Sequence, residues 1–336
     1  MTIRFVTEHP ETRRKVNEFV EEWNSPSQEI CVHTSGSTGK PKEIRIQKEH
    51  MIASALATGK FLGLSAGDTA LLCLSMDTIG GRMMIVRSIV LDLELIVSDV
   101  SSTPLQSVNQ PIDFAAMVPM QVQKSLEETP AAMQKINKLI IGGGPVSESL
   151  LDQLQSIPTK AYHTFGMTET ISHIAMRSLN HPLQEEFHCL PGIKIEEHQG
   201  SLVINAPTIG VDSLETNDAI EMVSETSFRW LGRTDFVINS GGVKLHPEQI
   251  ESQLSKLLPL PFFVYGEVDD TFGERLILAV ESAKPLNLTK ASFEAVLSKY
   301  SIPKEIRYIK EFSYTSSGKI NRLKSKIRPH VAHEIL

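Results

Sequence analysis

The chain has 336 residues, 41% hydrophobic and 22% charged, with a formal net charge of −7. That size suits one large domain plus a smaller one of ordinary soluble character, and the dispersed charge excludes a nucleic-acid footprint or a polybasic membrane anchor. Membrane insertion and targeting are not expected, because Met1 to Arg14 is charged and the most apolar stretch, Ile85 to Val100, is broken by Arg87, Asp92, Glu94 and Asp99.

In chain order, Val16, Phe19, Val20 and Trp23 recur at helical spacing until Asn24-Ser25-Pro26-Ser27 ends the pattern. Ile30-Cys31-Val32 is a short apolar run. Met51, Ile52, Ala55, Leu56, Gly59 and Leu62 mark one face of a helix, and Thr69 to Leu74 reads as a buried strand. The alternation continues: a helix near Gly81 to Leu91, strands at Leu93–Val97 and Phe114–Val118, a helix after Pro119, a strand at Lys138–Ile141, a helix at Ser147–Gln155 and a strand at Lys160–Thr164. This predicts an α/β fold, a large domain with a mostly parallel sheet. From Gly192 to Trp230 the elements shorten to strands with turns at Gln199-Gly200 and Thr216-Asn217, predicting a small β-rich subdomain. A small α+β C-terminal domain follows: a helix at Pro247–Leu257, strands at Phe262–Val268 and Leu276–Glu281, a helix over Lys290–Tyr300 and a strand at Ile306–Ile309. The expected domains are 1–233 and 236–336. Cys31, Cys73 and Cys189, odd in number and widely spaced, argue against disulfides or a zinc site and fit the cytoplasm; homo-oligomerisation stays open.

Thr34-Ser35-Gly36-Ser37-Thr38-Gly39-Lys40-Pro41-Lys42 follows the run at Ile30. Its glycines let the backbone approach an anion, while the hydroxyls and lysines suit phosphate. It is not a Walker A loop, since Thr34 stands five before Gly39 and Pro41 follows Lys40. By composition alone a surface turn is the leading reading. The segment resembles the signature of the adenylate-forming superfamily of acyl- and aryl-CoA ligases, firefly luciferase and peptide-synthetase adenylation domains. Further matches follow in the family's order as far as Arg322. Two departures are Glu43 where the family usually has glycine, and only 33 residues before Thr34, far fewer than usual, so an N-terminal subdomain is expected to be missing.

The resemblance implies ATP, Mg2+, CoA and a small-molecule carboxylate as partners. Thr34, Ser35, Gly36, Ser37, Thr38, Gly39 and Lys42 would hold the polyphosphate. Gly142-Gly143-Gly144-Pro145, which alone reads first as a plain strand-to-helix turn, would flank adenine. In Phe165-Gly166-Met167-Thr168-Glu169 the ring of Phe165 would stack on adenine, Thr168 would meet phosphate, and Glu169 would hold the metal. Asp218, in Thr216-Asn217-Asp218 where the family has Thr-Gly-Asp, would accept from the ribose hydroxyls, with Asn217 tolerating the positive φ of a glycine. Arg233 would assist and Asp235 would be the hinge; an inter-domain ion pair is the competing reading for both. In the segment from Ser240 to Glu251, Gly242 would let the pantetheine arm of CoA pass, with Lys244 grouped beside it as cofactor-binding. Lys319 would be the catalytic lysine, steadying charge on the α-phosphate as the carboxylate attacks. Phe165 to His173 and Met83 to Ser88 most resemble the o-succinylbenzoate-CoA ligases of menaquinone biosynthesis. In that reading Arg87 or His173 would hold the carboxylate that is not activated, unless Arg87 merely pairs with an acid such as Asp92. The expected function is therefore an ATP-dependent acid–CoA ligase. Another acyl- or aryl-CoA ligase, or a non-catalytic nucleotide-binding homologue, remain as alternatives.

Overall fold

A computed structural model describes residues 2–34, 42–314 and 320–336 of the chain. The first strand, β1 (Thr2–Phe5), leads into α1 (Pro10–Asn24), and β2 (Glu29–Thr34) pairs with β3 (Lys42–Gln47) as a separate antiparallel ribbon. Next come α2 (Lys48–Leu62), β4 (Thr69–Leu72), α3 (Ile79–Val90), β5 (Glu94–Val97), β6 (Ile112–Met117) and α4 (Pro119–Glu128). A short α5 (Pro130–Met133), β7 (Ile136–Ile141), α6 (Glu148–Leu154) and β8 (Lys160–Gly166) complete the alternating part. Its strands lie in the order β1-β5-β4-β6-β7-β8, all parallel.

The side chains divide cleanly between the two faces. Ala70, Leu72, Leu95, Val97, Phe114, Ala116 and Ile140 enter one core, whereas Leu71, Cys73, Ile96, Ala115, Met117, Leu139 and Ile141 enter the other. Successive residues of a strand point to opposite faces, so a sheet covered by helices on both sides needs apolar residues at every position. That requirement is why these strands read as continuous hydrophobic runs.

The β-rich part is not detached. β9 (His173–Ser178), β10 (Phe187–Cys189), β11 (Lys194–His198), β12 (Ser201–Ala206), β13 (Val211–Ser224) and β14 (Ser227–Arg233) continue the same sheet in the order β9-β10-β14-β13-β12-β11. All are antiparallel to their neighbours, giving one sheet of 12 strands. The turn expected at Gln199-Gly200 is present, with φ of 52° and 85° closing the two-residue hairpin between β11 and β12. The turn expected at Thr216-Asn217 is not. Both residues lie inside the 14-residue β13, which pairs with β12 on one side and β14 on the other, and Asn217 does not have positive φ. The strand bulges here: the register with β12 shifts between the Val203–Glu215 and Ser201–Ala219 pairs, and the Asp218 N–H donates to Thr216 Oγ1 at 3.1 Å.

A second sheet begins after Arg233. It contains β15 (Ile238–Ser240), β16 (Val243–Leu245), β17 (Phe262–Asp269), β18 (Gly273–Glu281), β19 (Glu305–Ile309) and β20 (His330–Ile335). Packed with it are α7 (Pro247–Leu254), α8 (Lys290–Glu294) and α9 (Arg322–Ser325). Its core of Ile238, Ile250, Leu254, Val264, Leu278, Phe293 and Ile306 is made from residues after Asp235 only. The helix expected over Lys290–Tyr300 is one short turn, α8, and a 3-10 turn at Lys299–Ser301.

Candidate active site

Two of the motifs, at Gly142 and at Phe165, lie at the carboxyl ends of the neighbouring strands β7 and β8. Gly142 to Gly144 leave β7, and a Cβ on Gly142 would lie 2.5 Å from Thr164 Oγ1 on the neighbouring β8, so only glycine fits this approach. The imidazole of His163, also on β8, meets the Gly144 carbonyl at 3.3 Å through Nε2. Burial pushes His163 down to about 4, which keeps it neutral and makes Nε2–H the donor. Phe165 is half-buried, edge-on to Phe228 at 5.2 Å and to Phe187 at 5.9 Å. Thr168 and Glu169 lie in a 3-10 turn after β8, with Glu169 exposed. Of the loop residues, Ser35, Gly36, Ser37, Thr38 and Gly39 lie outside the described residues, as does Lys319; Thr34 and Lys42 are described as paired strand backbone only. Glu43 is exposed and faces Arg45 at 3.3 Å.

Arg87 and His173 come together. Arg87 is 1% exposed, and its Nη2 donates to Ser172 Oγ at 2.7 Å, while Nη1 meets Met84 Sδ at 3.8 Å. Its Nε has no hydrogen-bond partner among the described residues. Desolvation pulls Arg87 down to about 10. Ser172 Oγ is 3.3 Å from His173 Nδ1, and His173 Nε2 is 3.1 Å from Thr58 Oγ1, whose own hydroxyl donates to the Ser54 carbonyl at 3.0 Å. Burial, helped by the Arg87 charge, holds His173 well below the usual imidazole range. His173 is thus a neutral ring with both nitrogens engaged, and Arg87 is the group with donors to spare. Sequence reasoning missed Thr58 and Ser172. Thr58 sits seven residues after Met51 and four before Leu62, a hydroxyl inside the apolar stripe of α2, and that interruption was the available signal.

The β13–β14 register sets Asp218 opposite Arg233. Asp218 Oδ1 accepts from Trp230 Nε1 at 2.8 Å, and burial raises the Asp218 carboxyl. Arg233 is turned to Asp235, donating from Nε at 3.0 Å and Nη2 at 2.9 Å in a two-pronged pair. Asp235 is exposed in the 3-10 turn Thr234–Phe236 that joins the two sheets. Beyond it, Gly241 (φ 59°) and Gly242 (φ 81°) form the two-residue turn between β15 and β16. Among the described residues a Cβ on Gly242 would meet nothing within 4 Å, and its positive φ is what favours glycine. Lys244 is exposed on β16.

Across the two units, Ser252 Oγ and Lys256 Nζ meet the Glu148 carboxylate at 3.3 and 3.4 Å. Within the second unit Arg322 Nη2 pairs with Glu251 Oε2 at 2.6 Å, and its guanidinium lies 5.1 Å from the centre of the Phe236 ring. Two polar clefts, about 350 Å³ beside Glu186, His188 and Arg229 and about 200 Å³ beside Arg14, Phe19 and Arg82, hold none of the described motif residues.

The profile of the family described as AMP-binding enzyme matches residues 5–205. The chain belongs to the AMP-binding enzyme family. Among family members, 2-succinylbenzoate–CoA ligase of Bacillus cereus (strain ATCC 10987 / NRS 248) is 26% identical, aligned over 91% of this chain and 74% of its own length. The ligase of the same description from Listeria monocytogenes serovar 1/2a is 25% identical over 96% and 74%. Two solved structures are also similar. An acyl-CoA synthetase (AMP-forming)/AMP-acid ligase II-like protein from Dyadobacter fermentans is 36% identical over 95% of both chains, with a TM-score of 0.65. O-succinylbenzoate Coenzyme A Synthetase from Bacillus subtilis, in complex with ATP and magnesium ion, has a TM-score of 0.78 at 23% identity, over 88% of this AMP-binding chain and 69% of its own.

Proposed function

We propose that this AMP-binding enzyme is an adenylate-forming acid–CoA ligase whose substrate is o-succinylbenzoate, serving menaquinone biosynthesis in the cytoplasm. The observation that carries the substrate reading is Arg87, a desolvated cation held by the hydroxyl of Ser172, three residues past Glu169. A cation so placed suits an anion brought in by a ligand, and o-succinylbenzoate has a second carboxylate that must be held without being activated. The names of the Bacillus and Listeria relatives support the same substrate. No described helix is long and apolar enough to cross a membrane, and Cys31, Cys73 and Cys189 are unpaired thiols, which fits a reducing compartment.

In the first half-reaction the succinyl carboxylate attacks the α-phosphorus of ATP, forming an acyl-adenylate and releasing pyrophosphate. The loop from Thr34 to Gly39, with Lys42 and Thr168, is assigned to the phosphates, Gly142 to Pro145 and Phe165 to adenine, and Asp218 with Arg233 to ribose. Lys319 steadies the charge that builds as the carboxylate attacks. Glu169, exposed at its turn, fits a cation that needs one or two carboxylates and otherwise binds water and phosphate, so it is the residue that would hold Mg2+, which supplies charge neutralisation on the polyphosphate. In the second half-reaction the CoA thiol attacks the acyl carbon and displaces AMP, with Gly242 and Lys244 assigned to CoA. Residues 1–233 and 236–336 would act as two bodies turning about Asp235 between the steps.

The test is AMP release by the purified protein with ATP, Mg2+ and CoA across a panel holding o-succinylbenzoate, benzoate, succinate and a linear monocarboxylate. Preference for o-succinylbenzoate supports the proposal. Preference for a monocarboxylate moves the function to a broader acyl-CoA ligase, and no release with any acid refutes catalysis of this class.

A further inference from the structure

We infer that Thr58 is a positioning residue for Arg87, acting through His173 and Ser172; the inference rests on the reading of Arg87 as the holder of the second substrate carboxylate. The direction of each proton in the chain follows from the acceptors at its far end. Thr58 has one hydroxyl hydrogen, and the Ser54 carbonyl at 3.0 Å can only accept it. His173 Nε2, at 3.1 Å, must therefore donate to the Thr58 oxygen, which fixes the ring as the Nε2–H tautomer. Nδ1 then carries a lone pair, so at 3.3 Å it accepts the Ser172 hydroxyl hydrogen. With its hydrogen turned toward the ring, Ser172 Oγ offers a lone pair to Arg87 Nη2 at 2.7 Å.

The chain thus runs in one direction, from Arg87 Nη2 to Ser172 to His173 to Thr58 to the Ser54 carbonyl, with each of these donors meeting an acceptor. Thr58 is fully buried and His173 only 8% exposed, so bulk water does not readily replace a lost partner. Removing the Thr58 oxygen would leave the His173 Nε2–H unpaired. The ring then gains by shifting its proton to Nδ1, where it can donate to Ser172. Ser172 Oγ would receive donors from both the ring and Arg87, and its own hydrogen would have to turn elsewhere. The guanidinium would share its acceptor with the ring and be held less firmly, without losing its charge. Thr58 touches neither substrate nor nucleotide in this account; its effect reaches the substrate only through Arg87.

The experiment combines kinetics with nitrogen NMR of the intact enzyme labelled at histidine. In the parent protein the His173 resonances should show a protonated Nε2 and a bare Nδ1 across pH 6 to 8. Thr58→Val should raise KM for o-succinylbenzoate roughly tenfold, leave KM for ATP within about twofold, and shift His173 toward the Nδ1–H form; Thr58→Ser, which restores the acceptor, should return both readouts to the parent values. A parent His173 that is Nδ1–H or charged overturns the inference whether or not any variant folds. So does an unchanged KM for Thr58→Val in a protein where Arg87→Met raises it. If Arg87→Met itself leaves KM unchanged, the assignment of Arg87 to the substrate fails, while the tautomer result still decides the direction of the chain.

Discussion

Replacing Arg87 by Met separates function from stability in opposite directions. Burial lowers Arg87 from 12.5 to about 10, so at every pH below about 10 the folded state carries the cost of a desolvated cation. At 1.36 kcal/mol per unit this is about 3 kcal/mol, an order-of-magnitude figure. Against it stands the charged hydrogen bond to Ser172, of the type that contributes about 1.5–3 kcal/mol. Met is an apolar chain of similar length and would sit beside Met83, Met84 and Val86, which are fully buried. The ligand-free variant should therefore be as stable as the parent, or up to about 1.5 kcal/mol more stable, where an ordinary large core substitution costs about 2–5 kcal/mol. Substrate binding should move the other way. Losing one partner of a buried charge pair costs at least about 2 kcal/mol, hence a rise of roughly 30-fold or more in KM for o-succinylbenzoate, with KM for ATP nearly unchanged. Urea unfolding of ligand-free protein and steady-state AMP release supply the two numbers. A loss of more than about 2 kcal/mol in stability with unchanged KM would make Arg87 a structural residue and remove the argument for a dicarboxylate.

Two other outcomes follow from the second unit. Burial outweighs the attraction of Arg322 and lifts Glu251 to about 7, above its ordinary value of 4.5, so the folded state holds a proton that the unfolded chain releases. The stability this contributes is complete below pH 4.5 and is lost as pH rises through 7; Glu251→Gln should flatten that window in pH-dependent urea unfolding, and an unchanged slope would contradict the burial argument. At the linker, Asp235→Pro fixes φ and removes the two-pronged pair with Arg233, and it should impair one half-reaction while sparing the other, with Asp235→Asn as the control that keeps the backbone free. Normal rates in both half-reactions would place the hinge elsewhere.

Much of the fold was legible because a doubly covered parallel sheet writes itself as apolar runs. Leu71 to Cys73, Phe114 to Met117 and Leu139 to Ile141 could be buried nowhere else. The edges were not legible. β1 and β20 lie at the ends of their sheets with half or more of their residues exposed, and Thr2–Phe5 and His330–Ile335 accordingly mix charged, histidine and apolar residues without a long run. Asn217 misled for a different reason: turn propensity is local, whereas the β12 pairs at Glu215 and Ala219 on either side carry β13 past this position as a bulge within the strand. At the site, Arg87 stood out as a charge in an apolar segment. Ser172 and Thr58 did not, since a hydroxyl is common anywhere and only the fold brings Thr58 to His173, 115 residues further along the chain.

Pyrophosphate exchange into ATP, measured without CoA and with o-succinylbenzoate as the acid, tests the central claim most directly, because it reports reversible acyl-adenylate formation and nothing later. The parent enzyme should exchange only when o-succinylbenzoate is present. Lys319→Ala should lose exchange by roughly 10²-fold or more while still passing a supplied acyl-adenylate to CoA. Exchange that is absent from the parent enzyme, or equal loss of both half-reactions in Lys319→Ala, would contradict the account.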